Sequence, residues 1–149
     1  MWKLKSLGNC KFGKKSKTIK INYNELKHQD MLIKWLVKQN DILSYQTEKE
    51  LKREAYLEKN EWGNRDLKKG YPDLLVHYED KEMIIELERT CKSKENFEDK
   101  IDGLRSYLRN GLDVLWLVPN QKMLKFIYEQ ILEYNWKLEQ QHIQIVINT

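Results

Sequence analysis

Residues 72–92, PDLLVHYEDKEMIIELERTCK, decide the fold that we expect for the rest of the chain. Segments 73–78 and 83–90 are rich in β-branched and aromatic residues and flank a polar Glu-Asp-Lys tripeptide, which predicts a β-hairpin. Successive side chains of a strand point to opposite faces, so Glu86 and Glu88 share one face of the second strand. The hairpin therefore presents two acidic side chains on one side.

The hairpin loop determines which of these acids faces Asp73 on the first strand. A two-residue loop at 80–81 places Asp73 opposite Glu88. A loop centred on 79–80 places it opposite Glu86, and a one-residue slip is excluded because it would turn one strand inside out. In both registers Asp73 lies within roughly 4.5–8 Å of the two glutamates, directly or diagonally across the ladder. We therefore expect the three carboxylates to form one group.

Such a group needs neutralisation, because like charges repel one another in a half-buried site unless a cation or protons are present. Carboxylate oxygens suit Mg²⁺, Mn²⁺ or Ca²⁺. The alternative is that Glu86 and Glu88 are solvated side chains of an edge hairpin. His28 and His77 are further candidates for contact with a metal ion or a phosphate, although an isolated histidine is more often a surface or core residue.

The composition indicates one folded domain preceded by a basic segment. The 149 residues are 40% hydrophobic and 11% aromatic, which argues against disorder. Residues 1–24 contain seven lysines and no acidic residue, so the remaining chain carries 20 basic against 23 acidic groups. We expect residues 1–24 to form a basic arm or hairpin, with an edge strand at 17–23, and residues 25–149 to form a single domain.

The sequence contains no apolar run long enough to span a membrane and no signal peptide at its N-terminus. We therefore expect no membrane partner and a cytoplasmic location. The lysine-rich segment suits contact with phosphates, and a solvated lysine-rich strand is the alternative. The expected DNA contacts in this segment are Lys11, Lys14, Lys15, Lys17 and Lys20.

Helical periodicity predicts two helices before the hairpin. Apolar residues recur with a helical period from Asn24, the expected N-cap, to about Gln39. Thr47 and Glu50 have the spacing of a capping box at the start of a second helix. The polar, glycine-containing segment 57–71 predicts a loop that leads into the hairpin.

A strand–helix–strand unit is predicted after the hairpin. Ser93 is the expected N-cap of its helix and Gly111 the expected end. The apolar segment 113–118 predicts a strand covered on both faces, parallel to 83–90 through a right-handed crossover. A further helix and a last strand at 143–147 complete an α/β fold with a mixed sheet and a central hairpin. The apolar stripe of the helix consists of Phe97, Ile101, Leu104 and Leu108.

The order of these elements resembles the PD-(D/E)XK nuclease fold, in which an acid on one strand and an E-x-K on the next hold a divalent metal. More closely, PDLLV, IELERTCKS and VLWLVP are similar to the C-terminal domain of the replication-relaxation family, also described as MobC-like mobilisation proteins. The match covers roughly residues 25–120. The family's usual N-terminal winged-helix domain has no room in the 24 residues before it, so we expect any DNA affinity to come from the arm and the core.

This resemblance implies particular site residues and one departure from the nuclease pattern. The position of the motif lysine holds Glu88, and an anion there repels the phosphate. Losing one such stabiliser costs on the order of 10²–10³ in rate, by analogy with oxyanion donors. Lys92 and Lys100 are the candidates to replace the lysine. The implied catalytic residues are Asp73, Glu86, Glu88 and Lys100, and the implied ligands of Mg²⁺ or Mn²⁺ are Asp73, Glu86, Glu88 and Glu48.

Three functions remain consistent with the sequence. The first is a DNA-binding accessory protein of plasmid or mobile-element replication or mobilisation, with relaxase or replication proteins as partners. The second is a divalent-metal-dependent DNA endonuclease, and the third is a protein-interaction module on a degenerate nuclease fold. The basic arm favours DNA over protein, and Glu88 favours the accessory over the enzyme. Lys92, Arg105 and Arg109 are expected to extend the DNA-binding surface.

Overall fold

The computed structural model describes residues 20–62 and 70–146, which form one mixed sheet with helices on both faces. The α-helices of these residues are α1 (Tyr23–Val37), α2 (Glu48–Trp62), α3 (Lys94–Arg109) and α4 (Gln121–Tyr134). The strands are β1 (Ser44–Thr47), β2 (Leu74–His77), β3 (Glu82–Leu87), β4 (Asp113–Val118) and β5 (Gln141–Ile145). No helix in this part of the chain is long and apolar enough to cross a membrane.

The five strands lie in the sheet in chain order, and the predicted α/β class with a mixed sheet is confirmed. β1, β2 and β3 are antiparallel, whereas β3, β4 and β5 are parallel. The predicted hairpin is β2–β3, and the predicted crossover joins β3 to β4 through α3. β1 was not predicted, because a strand of four residues is too short to show a clear alternation.

The hairpin adopts the register with the larger loop. Leu74 faces Ile85 and His77 faces Glu82, and continuing this register by one residue brings Asp73 opposite Glu86. The loop closes with a hydrogen bond of 2.8 Å from the Tyr78 N–H to the carbonyl oxygen of Lys81. The two-residue loop, which would have placed Asp73 opposite Glu88, is therefore excluded.

The sheet has a buried core on each face. α3 and α4 cover one face, where Phe97 stacks at a tilt on Trp116 with ring centroids 5.2 Å apart. α1 covers the other face with Met31, Leu32 and Trp35. β4 supplies residues to both cores, as expected for a strand covered on two sides. All four residues of the predicted apolar stripe of α3 are buried.

The helix caps confirm two predictions and correct a third. Ser93 accepts the Asn96 N–H of α3 at 3.1 Å. Thr47 and Glu50 form the predicted capping box, with N–H to oxygen distances of 3.1 and 3.2 Å. The N-cap of α1 is Asn22, because its Oδ1 accepts the Asn24 and Glu25 amides, and Asn24 itself lies inside the helix.

Several predicted boundaries differ from the structure. β3 ends at Leu87, three residues before the predicted end at 90. Residues 20–22 form no strand and Tyr23 begins α1, so α1 starts before the expected domain boundary at 25, and 17–19 lie outside the described residues. α2 continues to Trp62 through part of the expected loop. β5 lies two residues earlier than predicted, because its pairing with β4 begins at Val114 opposite Gln141.

A close backbone contact joins α3 to the chain just before the hairpin. A Cβ added at Gly103, in the middle of α3, would lie 2.8 Å from the Cα of Gly70. Gly103 is one helical turn after Lys100, and Gly70 is three residues before Asp73. Two glycines therefore allow the start of the hairpin to rest directly on the helix that carries Lys100.

Gly103→Ala is expected to destabilise the protein. In a helix interior, alanine is normally more favourable than glycine by about 1 kcal/mol, so helix propensity alone would predict the opposite. The added methyl group meets backbone rather than a movable side chain, and such overpacking costs roughly 1–3 kcal/mol. Urea unfolding measures the change, with Ser106→Ala on the same helix as the control for helix propensity. An increase in stability for Gly103→Ala would contradict the contact.

Candidate functional site

One open pocket of about 380 Å³ lies where the N-terminal turns of α1 and α2 meet the end of β3. Two features of the fold form it: the chain enters β2 at this point, and it leaves β3 towards α3. Polar and charged side chains dominate the walls. The titratable residues that line the pocket include His28, Glu48, Asp73, Glu88, Lys92 and Lys100.

Asp73 is fixed to β3 by two reciprocal hydrogen bonds. Its backbone N–H donates to Glu86 Oε1 at 3.1 Å, and its own Oδ2 accepts the Leu87 N–H at 2.8 Å. A third bond, from the Glu48 N–H to the Asp73 carbonyl oxygen at 3.2 Å, joins the start of α2 to the same residue. Both carboxyl groups therefore meet where the ladder of the hairpin ends.

Lys100 extends from α3 to the two glutamates of β3. Its Nζ lies 2.8 Å from Glu86 Oε2 and 3.4 Å from Glu88 Oε1. Lys92 Nζ lies 3.1 Å from the second oxygen of Glu88. Glu86 and Glu88 thus share one cation, the Lys100 ammonium.

Glu86 is completely buried, and Glu88 is 2% exposed. Burial, reinforced by the charge of Asp73, raises the pKa of Glu86 to about 8, although Lys100 acts in the opposite direction. Burial and Asp73 therefore favour the protonated form of this carboxyl group, whereas the Lys100 ammonium favours the ionised form.

Asp73 and Lys100 both keep their charges. Burial alone would raise the pKa of Asp73, but the His28 hydrogen bond and the Lys100 charge outweigh it, so that pKa is lowered. Burial alone would lower the pKa of Lys100, but the charges of Glu86 and Glu88 raise it above its ordinary value. Lys100 is therefore a permanent cation and cannot serve as a base near neutral pH.

The predicted catalytic and metal-binding residues lie in or directly beneath the pocket. Glu48 lies on its rim, 47% exposed and 3.6 Å from Lys52 Nζ. Asp73, Glu88, Lys92 and Lys100 line it, and Glu86 lies beneath them. Across 20–62 and 70–146, no three or more His, Cys, Asp or Glu side chains are grouped so that they could hold a metal ion.

Three further predicted DNA contacts, Lys20, Arg105 and Arg109, are described by the structure and do not line this pocket. Arg105 lies on another flank of α3, where it pairs with Asp102 at 2.6 Å and lies over the Trp136 ring at 4.6 Å. Arg109 is exposed in the last turn of α3, and Lys20 is exposed before α1. Lys11, Lys14, Lys15 and Lys17 lie outside the described residues.

The two histidines differ in position. His28 lines the pocket and contacts Asp73, whereas His77 pairs with Glu82 at 2.6 Å. Arg89, which sequence reasoning missed, donates to the Asn24 carbonyl oxygen at 2.9 Å and ties the first turn of α1 to the segment after β3. Its sequence context carries no signal for this contact, because the contact depends on how α1 docks.

No protein-family model, no curated protein and no solved structure significantly matches this chain. The similarity of its motifs to mobilisation proteins and to PD-(D/E)XK nucleases therefore stays a prediction. The pocket and its charges are the observations that bear on function.

Glu86→Gln is expected to change how stability depends on pH. Glu86 has a pKa of about 8 in the folded chain against an ordinary value of 4.5, so between these values the folded state holds a proton that the unfolded state has lost. Its contribution to the free energy of unfolding therefore falls as pH rises from about 5 to 8, by at most about 1.4 kcal/mol per pH unit. The Gln variant should lack this fall.

Urea unfolding at several pH values measures this effect. The exposed Glu129→Gln on α4 is the matched control and should keep the slope of the original protein. An unchanged slope in Glu86→Gln would mean that Glu86 is ionised in the folded state.

Proposed function

We propose that this protein is a divalent-metal-dependent nuclease that cleaves DNA, with a site of the PD-(D/E)XK type. The observation that carries the proposal is the Lys100 ammonium, within 3.4 Å of both Glu86 and Glu88. The sequence lacks the lysine of the E-x-K motif and has Glu88 there. A lysine from α3 supplies a positive charge beside the same pair of strand positions.

Lys100 suits the stabilisation of a phosphate better than proton abstraction. The neighbouring carboxylates raise its pKa, so it stays protonated. A fixed positive charge in a partly buried site stabilises negative charge that develops on a phosphoryl oxygen. Its side chain is 25% exposed and lines the pocket, so a substrate in the pocket can meet it.

The donor groups fit Mg²⁺ or Mn²⁺. Mg²⁺ is typically held by one or two carboxylates together with substrate phosphates. Asp73 and Glu88 are the members of the acidic group that line the pocket, and they would hold the ion above Glu86. Among the described residues, none donates a hydrogen bond to Asp73 Oδ1. Bound there, such an ion supplies an activated water and neutralises charge on the scissile phosphate.

The charges of the pocket explain why a metal ion would be required. Its walls include four acids, Glu25, Glu48, Asp73 and Glu88, against the three cations Arg89, Lys92 and Lys100. A phosphodiester entering this pocket alone meets more negative than positive charge. An added divalent cation reverses that balance, so it favours binding of the substrate as well as the reaction.

The composition of the segment that precedes α1 supports the proposal of a polyanionic substrate. Residues 1–20 carry seven lysines and no acid. α1 begins at Tyr23, and Asn24 already lines the pocket, so this lysine-rich segment directly precedes pocket residues in the sequence. Lysines so close in sequence to the site favour a long phosphate backbone over a small phosphate ester as substrate.

Supercoiled plasmid incubated with Mg²⁺ or Mn²⁺ is expected to be nicked or linearised, and Asp73→Asn should abolish this. Lys100→Arg keeps the charge that balances the buried acids but moves its centre, so cleavage should fall by about 10²–10³ while the chain stays folded. Lys94→Arg on the same helix is the matched control, because Lys94 pairs with the exposed Glu133.

Full cleavage by Asp73→Asn would contradict the proposal, since a contaminating nuclease would then explain it. Absence of cleavage by the original protein with either metal ion, on both plasmid and single-stranded DNA, would also contradict it. Thermal melting of each variant shows whether a reduced activity reflects unfolding of the variant.

The second candidate is the DNA-binding accessory protein of replication or mobilisation, working with relaxase or replication proteins. One observation favours it: the Lys100 ammonium already lies 2.8 Å from Glu86 Oε2, so the buried acid has a cationic partner without a metal ion. In this case the fold binds DNA without cutting it. Lysines that precede α1 would then contribute most of the affinity.

Deleting residues 1–20 tests the role of these lysines. If they neutralise phosphates, the affinity for duplex DNA should fall, and the log–log salt slope should become shallower by about 0.9 for each phosphate that the shortened chain no longer neutralises. The decrease in affinity should be similar for unrelated sequences, because phosphate contacts position a protein without specifying bases. Gel shifts at two salt concentrations measure both effects, and equal binding by both forms would exclude the segment as a contact surface.

A further inference from the structure

We propose that His28 is a positioning residue of the pocket, which holds Asp73 in place against the end of β3. The inference rests on the proposed function in so far as Asp73 takes part in the reaction. His28 Nε2 lies 3.2 Å from Asp73 Oδ2, and both side chains line the pocket. An ionised carboxylate only accepts hydrogen bonds, so the imidazole is the donor.

Two donors meet the same oxygen of Asp73. The Leu87 N–H reaches Oδ2 from β3 at 2.8 Å, and His28 reaches it from α1. One donor fixes the distance of a carboxylate but allows it to turn about the contact. A second donor on a different element removes that freedom. The remaining oxygen, Oδ1, is then held in one orientation.

The orientation of Asp73 matters because its side chain is only 13% exposed. A carboxylate in such a position is costly unless it is hydrogen-bonded. Without His28, Oδ2 would keep only the Leu87 amide as a donor, and the carboxylate could turn towards solvent. His28 therefore stabilises the orientation that is observed.

His28 can hold this position because α1 is itself fixed. Met31, Leu32 and Trp35, on the same side of α1 as His28, are buried against the sheet. The first turn is fastened separately, by the hydrogen bond from Arg89 to the Asn24 carbonyl oxygen. The helix can neither rotate nor move away from the sheet at this end without breaking one of these contacts. The backbone position of His28 is therefore fixed.

The test compares His28→Ala with His28→Gln, whose side-chain amide keeps a donor. His28→Ala should lower kcat of metal-dependent cleavage by about 10²-fold, as expected for a misplaced reacting group, with little change in the Kd for DNA. His28→Gln should recover most of kcat. His77→Ala, which removes a histidine paired with Glu82 at the other end of β2, is the matched control and should leave kcat unchanged.

A second readout does not depend on activity. The Leu87 amide donates to the carboxylate that His28 holds, so its resonance in a ¹⁵N–¹H spectrum of the full chain should shift in His28→Ala and return towards its original position in His28→Gln. The rest of the spectrum reports whether the variant is folded.

The outcomes separate this inference from the proposed nuclease function. If the original protein does not cleave DNA, the nuclease proposal fails, and the Leu87 amide alone decides whether His28 holds Asp73. An unmoved Leu87 amide in a folded His28→Ala variant overturns the inference. A weaker DNA affinity with kcat unchanged also overturns it, because His28 would then contact the substrate instead.

Discussion

The carboxyl group of Glu86 has no exposed surface, and its neutralisation is the constraint on which the site depends. A buried carboxyl group is costly unless it is protonated or paired. Here the Lys100 ammonium and the Asp73 amide meet its two oxygens, and burial raises its pKa. The apolar stripe packs α3 on the sheet, and this packing places Lys100 beside Glu86.

Alternation along β3 explains why the balancing cation comes from a helix. Ile84 and Glu86 lie on the face of the sheet that α3 covers, and Glu88 continues the same series beyond the end of the strand. Only every second side chain of the strand points to this face, and two of these side chains are glutamates. Lys100 lies one turn before Leu104 on the buried stripe of α3, so its side chain reaches the strand where the core ends. The contact between Gly70 and Gly103 allows this close approach.

Features with local signals were predicted well, and features that depend on docking were not. The hairpin, the Ser93 cap and the Thr47–Glu50 capping box follow from residues close together in sequence. The hairpin register stayed open because both loops keep the two faces intact, and hydrogen bonds to Asp73 accompany the one that is observed. Among the site residues, spacing alone left Lys92 and Lys100 equivalent. Only the packing of α3 distinguishes them, since Lys100 reaches both glutamates and Lys92 only Glu88.

The same contacts bear on whether the pocket is a catalytic or an inert site. A lysine that merely replaced a metal ion would gain most by being buried with its acids. Lys100 instead remains 25% exposed and lines the pocket beside Asp73, which is 13% exposed and has one oxygen that accepts no hydrogen bond from the described residues. A carboxylate oxygen and an ammonium group held beside the same open space, each fixed by a buried partner, form an arrangement in which a phosphate can meet both. The exposure of both groups in one pocket, more than the presence of the acids, is therefore our reason to propose a nuclease rather than a vestigial fold.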